Sequence, residues 1–447
     1  MLATKASTKE NVDPSGKNKN AIYLPLVKED LTMYHWNKHT RMKWTVTYFL
    51  GIFLVYSVRS SMSICATAIS KDLGWTKKIS GMALSAFFCG YITTNVLGGY
   101  LADRHGGEVV IFYTSIIWAS LTLILPMLVQ SESMLYSGTA AILVVRFFTG
   151  VAQGVFFPSI TAILAKHVAV SERGFVYGFA YSGSSVGVIV TGFVGSIIID
   201  HVGWPGVFIT VGVFALLWVV WMKYLSTLTS STKQRIPDKV FVKPTKEPVP
   251  WLKLASCPPV WALFVAYFCC SYCFYNLLSW TPVYFHDAFP ESKGWVFNVI
   301  PWLANFILTN ISGYVANVLI SGGMSITFVR KLYASILFIG IIVFSLMLTV
   351  VETFKQALFV MSLNIGVNAF STCSVGLNSQ DLAPKHAGAL HGIMNCCGAF
   401  AGFVGVYITG YILEVTNMWS SVYILTSIVS CIGLIVYSCF GSGERIV

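Results

Sequence analysis

The sequence predicts an all-α polytopic membrane protein, with twelve transmembrane helices in two six-helix bundles. Three observations predict it. The chain of 447 residues is 55% hydrophobic and only 11% charged, where a soluble domain averages about 25% charged residues. Apolar runs of about 20 residues, the length that spans a bilayer core, recur from end to end. The basic residues are also sorted by side. With both termini cytosolic, the luminal or extracellular loops hold only Lys71, Lys77, Lys78, Lys293 and Lys355. Arg59 and Arg146 lie inside spans, and all other Lys and Arg of the 29 fall on the cytosolic side, as the positive-inside rule requires.

The elements follow in order. Residues 1–43 are polar and lysine-containing, without the apolar core of a signal peptide. They read as a disordered cytosolic tail, Asn11 to Asn20 above all. Span one covers 44–68 and is apolar except for Arg59. Span two covers 79–101 and ends in a glycine-rich turn. Span three covers 109–130. Span four, 138–165, carries Arg146 alone between Glu132 and Lys166. Span five, 174–199, contains Tyr181-Ser182-Gly183-Ser184-Ser185-Val186-Gly187, small residues that permit close helix contact. Span six, 206–225, completes an N-terminal bundle over 44–225. The one long internal hydrophilic segment, 226–258, carries Lys233, Arg235, Lys239, Lys243 and Lys246 and divides the spans equally. The second bundle, 259–440, holds spans at 259–285, 295–320, 332–350, 356–379, 388–413 and 420–440. A short tail, 441–447, follows.

The composition excludes several classes. The net charge of +11 follows from topogenic loops facing anionic lipid, so no nucleic acid is expected as a partner. Cys269, Cys270, Cys273, Cys396 and Cys397 fall within spans and read as packing residues, and no metal-ligand spacing occurs. No P-loop, HExxH or GxSxG motif supports an enzyme. Asn310-Ile311-Ser312 matches a glycosylation sequon but lies inside span eight.

The two arginines carry the functional reading. A guanidinium in hydrocarbon costs roughly 3 kcal/mol on insertion scales, and no carboxylate lies in any span to neutralise either one. Two cations without local anions point to an anionic substrate. Arg59 lies about 22 Å along the helix from Trp44, and Arg146 about 30 Å from Lys166, at 1.5 Å per residue. Both therefore belong in the luminal half. A planar fork of donors suits carboxylate or phosphate oxygens.

Gly98-Gly99-Tyr100-Leu101-Ala102-Asp103-Arg104-His105-Gly106-Gly107 follows span two. It resembles the signature loop of the major facilitator superfamily, G-x-L-[AS]-D-x-x-G-[GR]. The resemblance implies the major facilitator fold and a conformational gate built on Gly99, Asp103, Arg104 and Gly107. A second copy, Ser312-Gly313-Tyr314-Val315-Ala316-Asn317 with Gly322-Gly323, has Asn317 in place of the acidic residue. Spans one and four, in Val58-Arg59-Ser60-Ser61-Met62 and Arg146-Phe147-Phe148-Thr149-Gly150-Val151-Ala152-Gln153-Gly154, are similar to those of the organic-anion transporters. That family includes sialin, the vesicular glutamate transporters and the sodium-phosphate cotransporters. Asn378-Ser379-Gln380-Asp381-Leu382-Ala383-Pro384 resembles its N-x-x-D-[IL]-A-P. Leu277 to Pro282 and Phe289 to Leu303 look most like its nucleotide-transporting branch.

That resemblance implies alternating-access transport of nucleotide anions (ATP, ADP, GTP) from cytosol into secretory vesicles or lysosome-related organelles. It further implies drive by a lumen-positive potential and chloride as activator, with no other cofactor. A monomer in the lipid bilayer is expected. Substrate contact is expected from Arg59, Arg146, Tyr91, Gln153, Tyr275 and Asn378, with Tyr272, Phe274 and Trp280 as further aromatic surface. Gln153 stands where sialin and the glutamate transporters carry glutamate, Cys270 where the latter have arginine, and Leu84 where they have histidine. These departures argue against glutamate and against proton symport. A proton- or sodium-coupled carrier of another anion or of phosphate is the alternative, and a non-transporting receptor on this fold is a further class.

Overall fold

The computed structural model describes residues 36–130, 137–168, 170–233 and 249–446. Residues 1–35 of the predicted N-terminal tail and 234–248 of the central linker lie outside these residues. The described chain is helical, without β-strand. Its helices are α1 (Lys38–Leu73), α2 (Lys77–His105), α3 (Gly107–Gln130), α4 (Ser137–Gly154), α5 (Phe156–His167), α6 (Val170–Val202), α7 (Trp204–Lys233), α8 (Trp251–Ala255), α9 (Pro258–Ala288), α10 (Gly294–Ser321), α11 (Ile326–Leu348), α12 (Phe354–Val367), α13 (Leu377–Leu382), α14 (Ala387–Thr416) and α15 (Trp419–Phe440).

Among the described residues eleven helical stretches are long and apolar enough to cross a membrane, with α4–α5 and α12–α13 each forming one stretch. The twelfth span is α2, which carries Lys77, Lys78, Asn95, Arg104 and His105. It is wedged between α4 and α14, so neighbouring helices rather than lipid cover much of it.

Chemistry at the ends sets the helix limits more than hydropathy does. α1 runs past both predicted ends, 44 and 68. Asn37 caps it by accepting from the Thr40 N–H at 2.8 Å, and Gly74 stops it at φ 63°. Thr353 and Gln356 form a reciprocal capping box on α12. Asn417, at φ 52°, closes α14 in the left-handed region. Span four bends between α4 and α5 at Val155, three residues before Pro158, whose ring cannot continue the hydrogen-bond ladder.

Span ten also breaks, through a π-helical turn at Thr372–Gly376. Such a turn frees a carbonyl from the regular ladder. Arg330 on α11 takes one: its Nη1 donates to the Cys373 carbonyl at 2.6 Å. The same guanidinium grips Asp381 through Nε (2.8 Å) and Nη2 (3.3 Å).

Within the first half, α1 packs on α6 and α7, α2 on α4, and α3 on α7. Within the second, α9 packs on α14 and α15, α11 on α15, and α10 on α12. Glycines allow the closest crossings. A Cβ at Gly183 or Gly187 would come 2.4 Å from the carbonyl of Phe49 or Phe53 on α1, so the small-residue run of span five does serve helix contact. A Cβ at Gly150 would come 2.0 Å from the Phe87 carbonyl, and one at Gly90 1.9 Å from the Phe147 carbonyl. Backbone therefore meets backbone between α2 and α4.

The halves meet through α2 on α14, α6 on α10 and α1 on α9. The hydrogen bonds described between them all lie at the end opposite the termini, the far end. Lys77 Nζ pairs with Asp287 at 2.6 Å, and Trp419, on the same half as Asp287, donates to that carboxylate at 3.2 Å. The Lys78 N–H donates to Glu414 at 3.3 Å, and Asn298 Nδ2 to Ser196 Oγ at 3.1 Å. Gly81 and Gly410 bring α2 and α14 together beside these contacts. At the opposite ends of α2, α6 and α14, Cβ positions on Gly99, Gly178, Gly388 and Gly392 would meet nothing within 4 Å. This conformation is closed at the far end.

Gly150→Ala should destabilise the fold by about 1–3 kcal/mol or more, because the added methyl meets a main-chain carbonyl that cannot move aside alone. A melting temperature unchanged from wild type in detergent would show that α2 and α4 are not packed in this way.

Candidate functional site

Arg59 and Arg146 are both buried, each 4% exposed. Arg59 comes from α1 and Arg146 from α4. Arg59 lies about 21 Å of helix from Leu73 at the far end. The close crossing at Gly150 sits one turn from Arg146 on α4, and it presses that turn against the Phe87 to Tyr91 segment of α2.

Aromatic rings surround Arg59. Its guanidinium carbon is 4.9 Å from the Tyr56 ring centre, 4.9 Å from Phe87, 4.8 Å from Tyr91 and 5.9 Å from Phe157. Arg146 reaches the same Phe87 ring at 5.1 Å. A cation over an aromatic face gains about 0.5–2 kcal/mol, more when desolvated. Several such contacts offset part of the cost of holding a charge in hydrocarbon.

Hydrogen bonding is only partly satisfied. Arg59 Nε donates to Gln153 Oε1 at 3.1 Å. Arg59 Nη2, Arg146 Nε and Gln153 Nε2 are buried without a protein acceptor. The described ion pairs are Lys77–Asp287 and Arg330–Asp381, so no described carboxylate neutralises either buried guanidinium. The described acidic residues sit at helix ends or in loops. Among the described residues no cluster of His, Cys, Asp or Glu could hold a metal ion. Chemically the site is a rigid cationic cradle, rich in N–H donors and walled by rings.

Five of the six residues expected at the substrate fall here or border it. Tyr91 lies over Arg59, Gln153 bonds it, and Tyr275 on α9 packs on Phe88 at 4.5 Å between ring centres. Tyr275 thus brings the second half to the edge of the site, and Phe88 and Tyr275 both press on Gly402 of α14.

Asn378 is not brought here. It is fully buried in α13, and its Nδ2 donates to the Tyr437 hydroxyl at 2.7 Å, beside the Arg330–Asp381 pair. Trp280 is not here either. Its indole donates to the Val406 carbonyl at 3.2 Å and packs on Trp419, within the far-end closure. Tyr272 packs on Gly405, and Phe274 bridges Tyr275 and Trp302.

The signature loop is also redistributed. Gly98, rather than Gly99, makes the close contact, 2.7 Å from Val155 at the Cβ position. Gly107 packs on Ile163 and Ser159 of α5, and Gly106 makes the turn at φ 89°. Among the described side chains Arg104 donates to the Tyr100 hydroxyl at 3.2 Å, and the side chain of Asp103 lies outside the described ones. Sequence reasoning missed Phe87, Tyr56 and Phe157. Phe87 carried one usable signal: it precedes Tyr91 by four residues and so shares its helix face.

Comparisons with known proteins agree with this architecture. The Major Facilitator Superfamily matches residues 48–406. The mouse (Mus musculus) voltage-gated purine nucleotide uniporter is 39% identical over 420 residues, covering 92% of both chains. The human (Homo sapiens) protein of that name is 38% identical over 416 residues, 92% of this chain and 94% of its own. The chloroplastic ascorbate transporter of Arabidopsis thaliana is 34% identical over 423 residues, 92% of this chain and 77% of its own. Among solved structures, a D-xylose–proton symporter superposes with a TM-score of 0.71 at 15% identity, over 90% of this chain and 99% of its own. A bacterial homolog of the human lysosomal transporter Spinster, inward-facing and occupied, gives 0.69 at 12%, over 91% and 97%. The chain belongs to the Major Facilitator Superfamily, among relatives that are anion transporters, and is a membrane transporter rather than an enzyme.

Proposed function

We propose that this protein moves nucleotide anions (ATP, ADP and GTP) from cytosol into secretory vesicles or lysosome-related organelles by alternating access. The observation that carries the reading is the pair of buried guanidinium groups with unpaired donors and no described carboxylate in reach. A polyphosphate chain supplies the missing charge to both, and Tyr91 and Tyr275 offer ring surface for a base. The similarity to the mouse, rat and human voltage-gated purine nucleotide uniporters supports the choice of nucleotide.

The bilayer is the setting, with both termini cytosolic and the far end luminal. The anion reaches Arg59 and Arg146 from the cytosolic side while Lys77–Asp287 holds the far end shut. Closure around Gly99, Asp103, Arg104 and Gly107 then accompanies release of that latch. Each negative charge moved across 100 mV gains about 2.3 kcal/mol, so a lumen-positive potential drives a multivalent anion without a coupled proton. Chloride acts as an activator, and the protein works as a monomer. The alternative, proton- or sodium-coupled carriage of another anion or of phosphate, needs a titrating or cation-binding group that the described spans do not place beside the arginines.

In liposomes, labelled ATP uptake should follow an inside-positive potassium diffusion potential, and Arg146→Ala should abolish it while leaving folding intact. Arg146→Lys should fail as well, since a point charge cannot reproduce the planar fork. Full uptake from a pH gradient with voltage held at zero would overturn the uniport reading. In competition assays ADP and GTP should displace ATP, while glutamate, aspartate and sialic acid at about tenfold excess should not, because charge-assisted bonds to the phosphates dominate. Glutamate inhibition with none by GTP would leave an anion carrier but remove the nucleotide. Joining Lys77→Cys to Asp287→Cys by oxidation should stop uptake, and dithiothreitol should restore it. Undiminished uptake by the cross-linked protein would mean that the far end does not open there.

A further inference from the structure

We propose that Phe87 is a positioning residue that sets the spacing of Arg59 and Arg146, and that this spacing selects anions whose charge extends over more than one phosphate. The inference deepens the reading of the same site as one for nucleotides and rests on it. Four rings lie around Arg59, and among the described residues Phe87 also carries Arg146, at 4.9 and 5.1 Å from the two guanidinium carbons. Tyr56, Tyr91 and Phe157 are described against Arg59 alone.

Two like charges in a buried site repel, and no described carboxylate lies between them to hold them together. An aromatic ring provides a neutral alternative. Its electron-rich face attracts both cations, and its bulk sets a minimum separation. The ring is itself fixed. Phe87 is 1% exposed, its carbonyl lies against Gly150, and its ring packs on Phe88 (5.3 Å) and Tyr91 (5.8 Å). A fixed ring in contact with both forks ties their relative positions and so defines two anion positions instead of one. A diphosphate or triphosphate can engage both forks, whereas orthophosphate or a single carboxylate engages one.

The test compares wild type with Phe87→Leu, Phe87→Trp and a chain carrying 3,4,5-trifluorophenylalanine at 87. The last has nearly the same shape with a depleted ring face. Binding of ATP, AMP, inorganic pyrophosphate and orthophosphate is read by competition and thermal protection in detergent.

In wild type, ATP should bind better than AMP and pyrophosphate better than orthophosphate. Phe87→Leu and the fluorinated chain should each lose about tenfold of that preference. They should raise the KM for ATP uptake while changing its maximal rate little, and Phe87→Trp should keep the preference. A ring acting only as filler would leave the fluorinated protein like wild type, and that result overturns the proposal even if Phe87→Leu fails to fold. If pyrophosphate binds with the expected preference but ATP does not bind, the nucleotide reading falls and the role of Phe87 stands. If neither binds to wild type, both fall.

Discussion

Two positive charges in the membrane interior, without a described negative charge to meet them, are the constraint on which the rest of this structure turns. A guanidinium at that depth must be paid for, at roughly 3 kcal/mol or more. The protein meets the cost with aromatic faces rather than with carboxylates. That choice has a consequence for chemistry. A carboxylate partner would quench the charge and occupy the fork, whereas rings stabilise the cation and leave N–H donors unspent. Arg59 keeps Nη2 and Arg146 keeps Nε unbonded for this reason. Gln153 fits the same logic, since it accepts one bond from Arg59 without adding charge.

The helix packing serves that arrangement. α2 supplies Phe87 and Tyr91, and α4 supplies Arg146 and Gln153. Their side chains converge because Gly90 and Gly150 let the two backbones touch. The bend before Pro158 then carries Phe157 back toward Arg59. α2 tolerates its polar residues because it lies between α4 and α14.

Much of this was legible in the sequence, for physical reasons that differ by feature. Charge in an apolar run is rare and expensive, so Arg59 and Arg146 stood out, and the structure buries both. The division into halves was legible because a polar linker cannot be hidden in a bilayer. The face on which a residue points was harder to read. Trp280 and Asn378 lie on helices of the right kind, yet Trp280 turns into the far-end closure and Asn378 toward Tyr437. The π-helical turn at Thr372–Gly376 shifts the register of span ten just before Asn378, and hydropathy carries no trace of such a turn. Phe87 was hidden because one phenylalanine among 31 carries no compositional signal. Only the close crossing at Gly150 makes it central.

The two halves treat their buried cations in opposite ways, and this asymmetry bears on where an anion binds. In the second half Arg330 is locked to Asp381 and to the Cys373 carbonyl. That guanidinium engages all three of its nitrogens with protein acceptors and braces a broken helix. In the first half the buried cations have no described carboxylate partner, so in the proposed transport one bundle holds most of the anion and Tyr275 brings the other to its edge. The far-end latch fits such a scheme. Lys77 and Asp287 are 35% and 28% exposed, and a pair so accessible to water is worth about 1 kcal/mol or less. A contact that weak can be broken in each cycle, whereas the buried cradle persists through it. Strength at the binding site and weakness at the gate are what a molecule needs if it must change shape around a fixed charge.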